Sequence, residues 1–291
     1  MVVKRKCPMK ISLVLYVYSG LEKYLDDLID SINNQTIKGF DIIIFNDNLN
    51  NLNQLFSNIQ VQYTVIKVEG TINEIRFNSI SDIIKLGAEF IIFQDADDFM
   101  AKNRIEENVK ALRSYDLVVN DLTLVNENAQ IIENAYWAKR LGNGFEFDEK
   151  FLRDKNIVGL GNTAMKKSLL KETRLNFSPF PLAFDWFLFY QIFKLNNLKA
   201  LFITNTTTYY RQHQGNVAGM KKLDIPRLNH VLNVKNAHYN ALSDLGFDFK
   251  KELLQLKRIQ VAMIDFLEFN SDLKNFNLLW WEETNNLINE I

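Results

Sequence analysis

FIIFQDADD, residues Phe90–Asp98, is the stretch on which the fold turns. Phe90–Phe93 is a short apolar run of β-branched and aromatic side chains, the pattern of a buried strand. It empties into a group of carboxylates, Asp95, Asp97 and Asp98. Three similar runs precede it. Ile11–Val17 (ISLVLYV) ends at Ser19-Gly20, Asp41–Phe45 (DIIIF) enters the turn cluster Asn46-Asp47-Asn48, and Val61–Val68 ends at Glu69. Helical patterns separate them. Leu21, Tyr24, Leu25, Leu28, Ile29 and Ile32 recur at helical spacing, and Ile72–Leu86 is stopped by Gly87. This alternation predicts an α/β fold of βαβ units with a mostly parallel central sheet flanked by helices. The strands are continuous apolar runs, as burial by helices on both faces demands. In such open sheets ligands bind beyond the carboxyl ends of the strands. Chemistry is therefore expected at Tyr18, Ser19, Asp47, Glu69 and the acids from Asp95 on.

Further along, Lys102–Leu112 reads as a helix and Asp116–Val119 as a strand. Residues 126–148 are polar and contain Gly, which suggests loops with a hairpin. Leu182–Leu195 is strongly apolar and aromatic, with one acid inside it, Asp185. Ala200–Ile203 and Thr206–Tyr210 look extended. From Pro226 to the end the pattern is helical, with apolar residues at Leu232, Leu242, Leu253, Leu254, Ile259, Met263, Ile264 and Leu267. A boundary near Gly219 would divide the chain into a sheet-containing domain, 1–219, and a C-terminal helical extension, 220–291.

The bulk composition excludes several classes. With 291 residues, 47% hydrophobic and 24% charged, the chain is long and apolar enough to bury a core without staples. A net charge of -1 provides no field to recruit nucleic acid or anionic lipid. The single cysteine, Cys7, makes neither an internal disulfide nor a zinc site by itself. Ile11–Val17 is too short for a signal-peptide core or a membrane span. The expected setting is cytoplasmic, with any membrane contact peripheral, at the inner face.

Neighbouring carboxylates repel one another, and a bound cation removes that cost. Asp95 and Asp97, two apart, point to the same side if the backbone there is extended. Carboxylate oxygens suit hard, octahedral Mg²⁺ or Mn²⁺, and Mg²⁺ is usually held by one or two carboxylates plus substrate phosphates. The acids thus suggest a metal clamped onto a diphosphate. The alternative is a solvated turn in which Asp97 or Asp98 caps the following helix. Asp185 poses a similar choice. An acid in so apolar a segment is expensive unless paired or used, and desolvation favours a general base, yet Asp is also a strong helix N-cap.

From here the chain resembles the family 2 glycosyltransferases of GT-A (Rossmann-like) fold. Ile11–Ser19 is similar to the family's first strand, Ser31–Thr36 (SINNQT) to its "S-x-x-x-Q-T", and Asp41–Asn48 to its "E-I-I-V-V-D-D-G". Arg76 matches an arginine before the third helix, and FIIFQDADD is close to "Y-I-x-F-L-D-x-D-D". Phe184-Asp185-Trp186 resembles the segment with the catalytic acid, and Tyr210–Gly219 (YRQHQGNVAG) is similar to "Y-R-x-H-x-x-N-x-S-G". Tyr16 stands where the family has Pro, Ser19 where it has Asn, and Asn46 and Asn48 replace the first Asp and the Gly of "D-D-G".

The resemblance implies a transferase that moves a sugar from a nucleotide sugar, with UDP as default, to a glycan or lipid-linked acceptor by metal-assisted inverting displacement. It would serve cell-surface polysaccharide synthesis. Asp97, Asp95 and His213 would hold Mn²⁺ or Mg²⁺. Tyr18, Asp47, Arg76, Asp95, Asn162 and Arg211 would bind the donor, and Asp185 would be the catalytic base. Each has a plainer alternative: an Asx turn for Asp47, a strand-end core aromatic for Tyr18, a solvated helix position for Arg76, a structural imidazole for His213. Trp186 is either a wall for a sugar ring or a core residue. Trp280 and Trp281 suit an interfacial or a packed terminal helix. Two other functions fit the pattern: a nucleotidyltransferase, although YSGLEKY after the first strand lacks the usual Gly-rich basic loop, and a transferase fold reduced to a binding module.

Overall fold

The structure is a computed structural model and describes residues 10–213, 216 and 225–269. The chain forms two compact units: Met1–Phe147 with Leu160–Arg174 and Asn196–Arg211, and Asp148–Gly159 with Leu175–Leu195 and Gln212–Ile291. The boundary expected at Gly219 lies outside the described residues, as do Trp280 and Trp281.

The first unit begins with β1 (Ile11–Tyr18), α1 (Leu25–Asn33), β2 (Phe40–Asp47), α2 (Leu52–Leu55), β3 (Tyr63–Lys67), α3 (Ile72–Lys85) and β4 (Phe90–Asp95). It continues through β5 (Phe99–Met100), α4 (Arg104–Leu112), β6 (Leu117–Val125), β7 (Ile131–Glu133), α5 (Ala138–Leu141), β8 (Phe145–Phe147), β9 (Thr163–Lys166) and α6 (Lys167–Glu172). After the chain has passed through α7 (Phe184–Leu195) of the second unit, β10 (Ala200–Arg211) completes the sheet. The strand order is β3-β2-β1-β4-β9-β6-β10-β5, with β7 on β6 and β8 on β10.

The four strands expected from the apolar runs are the parallel block of this sheet, β3-β2-β1-β4. β6 and β10 are also parallel. Between the two blocks lies β9, antiparallel to both β4 and β6. The two extended segments at 200–203 and 206–210 are one strand, interrupted by a bulge between Ile203 and Thr207 that shifts its register on β6.

Alternate residues of the parallel strands serve opposite faces. Leu13, Leu15 and Val17 join Ile42, Ile44, Phe90 and Ile92 in a core closed by Leu25, Leu28, Ile29 and Ile32 of α1 and by Ile105, Val109 and Leu112 of α4. Their neighbours Val14, Ile43, Ile91 and Phe93 are buried as well, and Tyr16 on that side reaches Ser79 of α3. Each such side chain is worth about 1.5–3 kcal/mol when fully buried. That is what fixes the register and brings the carboxyl ends of β1, β2 and β4 to one edge.

Among its described residues the second unit contains the helices α7, α8 (Ile225–Asp244) and α9 (Lys250–Phe269). α7 is apolar on nearly every side, and Phe184 and Trp186–Phe193 are buried, as expected of a helix without a polar face. Trp186 is wholly buried. Its indole N–H donates to Leu152 O at 2.7 Å, and its ring stacks on His238 at 3.8 Å. It is a core residue here, which removes the sugar-wall alternative. Among the described residues no helix is long and apolar enough to cross a membrane.

Candidate functional site

Strand register gathers the first residues. Tyr18, the last residue of β1, lies opposite Asp47, the last of β2, and Tyr16 lies opposite Asp95, the last of β4. Tyr18 is 45% exposed, so it is available as a stacking platform and is not the core aromatic considered as its alternative. Its phenol is pushed up by partial burial and then by the charges of Asp97 and Asp95, which places it among those acids. Asp47 accepts a hydrogen bond from its neighbour Asn48 Nδ2 at 3.1 Å. From α3, Arg76 extends to Asp95 at 3.9 Å, with both side chains partly exposed. It is therefore paired with a carboxylate and not simply solvated.

The acids are not arranged as the extended-backbone expectation had it. Asp95 ends β4, Ala96 and Asp97 form a turn, and Asp98 N–H closes it onto Asp95 O at 3.3 Å. The reversal in two residues keeps Asp97 at the strand end, where a continued strand would carry it away. Neither acid caps the next helix, because the residue before α4 is Asn103. Asp98 is buried, and its Oδ1 accepts the backbone N–H of Arg211 at 2.7 Å. Its Oδ2 has no hydrogen-bond partner. Burial, followed by the charges of Asp97 and Asp95, holds its carboxyl well above the usual range.

Two glycine-side features complete the wall. A Cβ on Gly161 would stand 2.7 Å from Asp95 Oδ2, so only glycine leaves that oxygen where it is, and 3.4 Å from Asp98 Oδ2, an ordinary contact. Asn162 is buried and exchanges hydrogen bonds with Asn120, through Asn162 Nδ2 to Asn120 O at 3.0 Å and Asn120 N–H to Asn162 O at 3.0 Å.

Arg211 was expected at the donor mouth. Its side chain is instead 1% exposed. It donates to Asp97 O at 2.9 Å, Glu127 O at 2.7 Å and the Asp27 carboxylate at 2.6 Å. The guanidinium fork is a clamp that ties the acid turn to α1 and to the β6–β7 hairpin, so its part is to hold the loop and not to face a ligand. Asp185 and His213 belong to the second unit. Asp185 is half-buried in the first turn of α7, where a carboxylate complements the helix dipole, and its Oδ1 accepts Trp186 N–H at 2.8 Å. His213 N–H donates to Asn216 Oδ1.

The acids fit a divalent cation of the Mg²⁺ type. They offer hard oxygen donors, an unpartnered buried oxygen on Asp98, and a glycine that clears the space beside them. Among the described residues no three His, Cys, Asp or Glu are gathered into a cage. A metal held by one or two carboxylates and completed by substrate phosphates needs none.

Sequence patterns missed Arg104. It sits at helical spacing with Ile105, Asn108, Val109 and Leu112, all buried, and that shared stripe is the signal that could have found it. Burial pulls its guanidinium down to about 9, against the charges of Asp98 and Asp95.

The model of glycosyl transferase family 2 matches residues 12–174, more than half of the chain. The chain belongs to this family. An uncharacterized family relative, a glycosyltransferase of Methanocaldococcus jannaschii, is 31% identical over 173 residues, 56% of this chain and 58% of that protein. Glycosyltransferase GlyA of Streptococcus pneumoniae is 21% identical over 261 residues, 84% of this chain and 36% of that protein. The chain thus spans less than two thirds of either relative. Among solved structures, S. aureus TarS in complex with UDP-GlcNAc superposes with a TM-score of 0.58 at 15% identity, over 92% of this chain and 74% of that one. TarS in complex with UDP gives 0.56 at the same identity. At that identity the likeness shows the fold, and it is the GT-A α/β fold of this family.

Proposed function

We propose that this family 2 chain transfers a sugar from a nucleotide sugar, with UDP as the nucleotide, to a glycan or lipid-linked acceptor, with inversion at the anomeric carbon, in cell-surface polysaccharide synthesis. One observation carries the reading: Tyr18, Asp47, Arg76, Asp95 and Asp97 come together at the carboxyl ends of β1, β2 and β4, where open α/β sheets bind nucleotides. The UDP and UDP-GlcNAc complexes of TarS, which shares the fold, support uridine as the nucleotide.

In this reading Tyr18 stacks on the base and Asp47 accepts its imide N–H. Arg76, released from Asp95, meets the diphosphate, and Asn162 holds the segment that borders the donor sugar. Asp97 and Asp95 would hold Mn²⁺ or Mg²⁺, with His213 as a further ligand. The bound ion supplies Lewis-acid stabilisation of the charge on the departing diphosphate. Asp185 takes the acceptor hydroxyl proton. Peripheral contact with the inner membrane face would bring a lipid-linked acceptor within reach.

Calorimetric titration with UDP sugars, with and without Mn²⁺, tests the reading together with a transfer assay. The wild-type chain should bind only with the metal, and Asp97→Asn should lose that binding. Asp185→Asn should bind the donor normally while transfer falls by roughly 10²–10⁴-fold. Donor binding with no transfer to any acceptor and no donor hydrolysis would leave a binding module. Failure of every nucleotide sugar to bind would sink the reading altogether.

A further inference from the structure

Beneath the acids lies a buried cation that the proposed reaction leaves without a role. Arg104 opens α4 and is 0% exposed. Its Nε donates to Asn120 Oδ1 at 2.8 Å, its Nη2 to Phe93 O at 2.7 Å, and its Nη1 to Gln94 Oε1. All three acceptors are neutral. A charge taken out of water is expensive unless an opposite charge answers it. For Arg104 the answering charges are Asp98 and Asp95, acting on it without direct contact.

The three acceptors fall on two strands that border the site. Phe93 and Gln94 are the last residues before Asp95, and Gln94 Nε2 donates to Asp95 O at 2.8 Å. Asn120 holds Asn162 through the pair of hydrogen bonds described above, and its Nδ2 donates to Thr208 Oγ1 at 3.0 Å. That hydroxyl donates in turn to Gly161 O at 3.0 Å. One rigid guanidinium therefore reaches, through a single residue on each side, both the end of β4 that carries the acids and the Gly161–Asn162 segment that presses against them.

We propose that Arg104 is the positioning residue of the donor site: it fixes the separation of the acid turn from the Gly161–Asn162 wall. The inference rests on the proposed donor site and deepens it. A lysine keeps the charge but lacks the planar fork that reaches three acceptors at once, so it separates geometry from charge.

The test is the Kd for UDP in the presence of Mn²⁺, measured by calorimetry on the full chain beside the thermal midpoint. The variants are Arg104→Lys, Gln94→Met and Val109→Ala. Val109 lies on the same helix in the core, 2% exposed, and serves as a stability-matched control away from the site. Arg104→Lys should raise the Kd at least 10-fold, whereas Val109→Ala should lower the midpoint and leave the Kd within twofold. Equal Kd values for those two variants overturn the proposal. If Arg104→Lys does not fold, Gln94→Met, which removes one of the three bonds together with the Gln94–Asp95 link that passes it on to the acid turn, decides by the same contrast. A wild-type chain that binds no UDP with Mn²⁺ brings down the donor site itself, and this inference with it, before any variant is compared.

Discussion

Gly161 shows how a residue without a side chain shapes a site. Alanine there would start its side chain 2.7 Å from Asp95 Oδ2. The clashing atom is the end of a side chain and not backbone, so the fold can yield. We expect Gly161→Ala to lower Tm by only a few degrees, because the carboxylate swings aside, while Mn²⁺-dependent UDP affinity drops at least 10-fold. Parallel thermal melts and calorimetry check this, and a variant that binds as the wild type would show that the position of Asp95 is not critical. Asp95 and Asp97 stood out in the sequence because three neighbouring acids after an apolar strand are costly without a use. The fate of Asp98 and Arg211 did not stand out. Both are polar residues whose partners, 113 positions apart in the chain, meet only once β10 lies beside the acid turn.

Among the elements, α3 and β10 serve the site in different ways. α3 starts with a capping box, in which Thr71 accepts Glu74 N–H and Glu74 accepts Thr71 N–H at 2.8 Å. The box anchors the helix five residues before Arg76. Thr71→Ala should lower Tm slightly and raise the donor KM more than it lowers kcat, since Arg76 is held less well. A change in kcat alone would contradict this. β10 ends in the Arg211 clamp. Arg211→Met leaves Asp27 and two carbonyls without their donor, and breaking a buried charged pair from one side costs on the order of 3 kcal/mol. Asp27 is half exposed and water replaces part of its loss, so chemical denaturation should report a value at or below that figure. The strands of the parallel block were legible as apolar runs. β9 was not, because four residues between a loop and a helix carry too little pattern. Yet β9 is the strand that draws Gly161 to the acids.

For the molecule as a whole, pH dependence should reveal the core of the second unit. His238 is fully buried, stacked on Trp186, and neither ring nitrogen has a hydrogen-bond partner. Burial, with the charge of Lys235 second, holds its imidazole well below the ordinary value. The unfolded chain takes up a proton as pH falls through about 6.5 while the folded chain does not, so stability is complete above that value and declines below it. Between pH 7.5 and 5.5 this one group should remove about 1.4 kcal/mol. Asp98 and Asp121, whose folded carboxyls are raised chiefly by burial, act in the opposite sense: the folded chain takes up their protons first, so they add stability as pH falls toward the ordinary carboxylate value. Denaturant melts of His238→Phe against wild type isolate the histidine. The variant should be at least as stable at pH 7.5, because no polar atom is left orphaned, and should lose about 1.4 kcal/mol less on acidification. Parallel curves for the two proteins would mean that the imidazole is not neutral in the folded state.

By itself, the sequence determined the α/β class, the parallel pairing of the first strands and the place of the acids. Those follow from local periodicity and from the rule that helices on both faces demand apolar strands. Tertiary structure alone decided what the charged residues do. Asp97 turned out to lie in a reversal, Asp98 to be buried, Arg211 to be a clamp, and Arg104 to be a cation enclosed by neutral acceptors. The physical reason is that the energy of a charge depends on its surroundings in three dimensions, and those surroundings come from segments far apart in the chain.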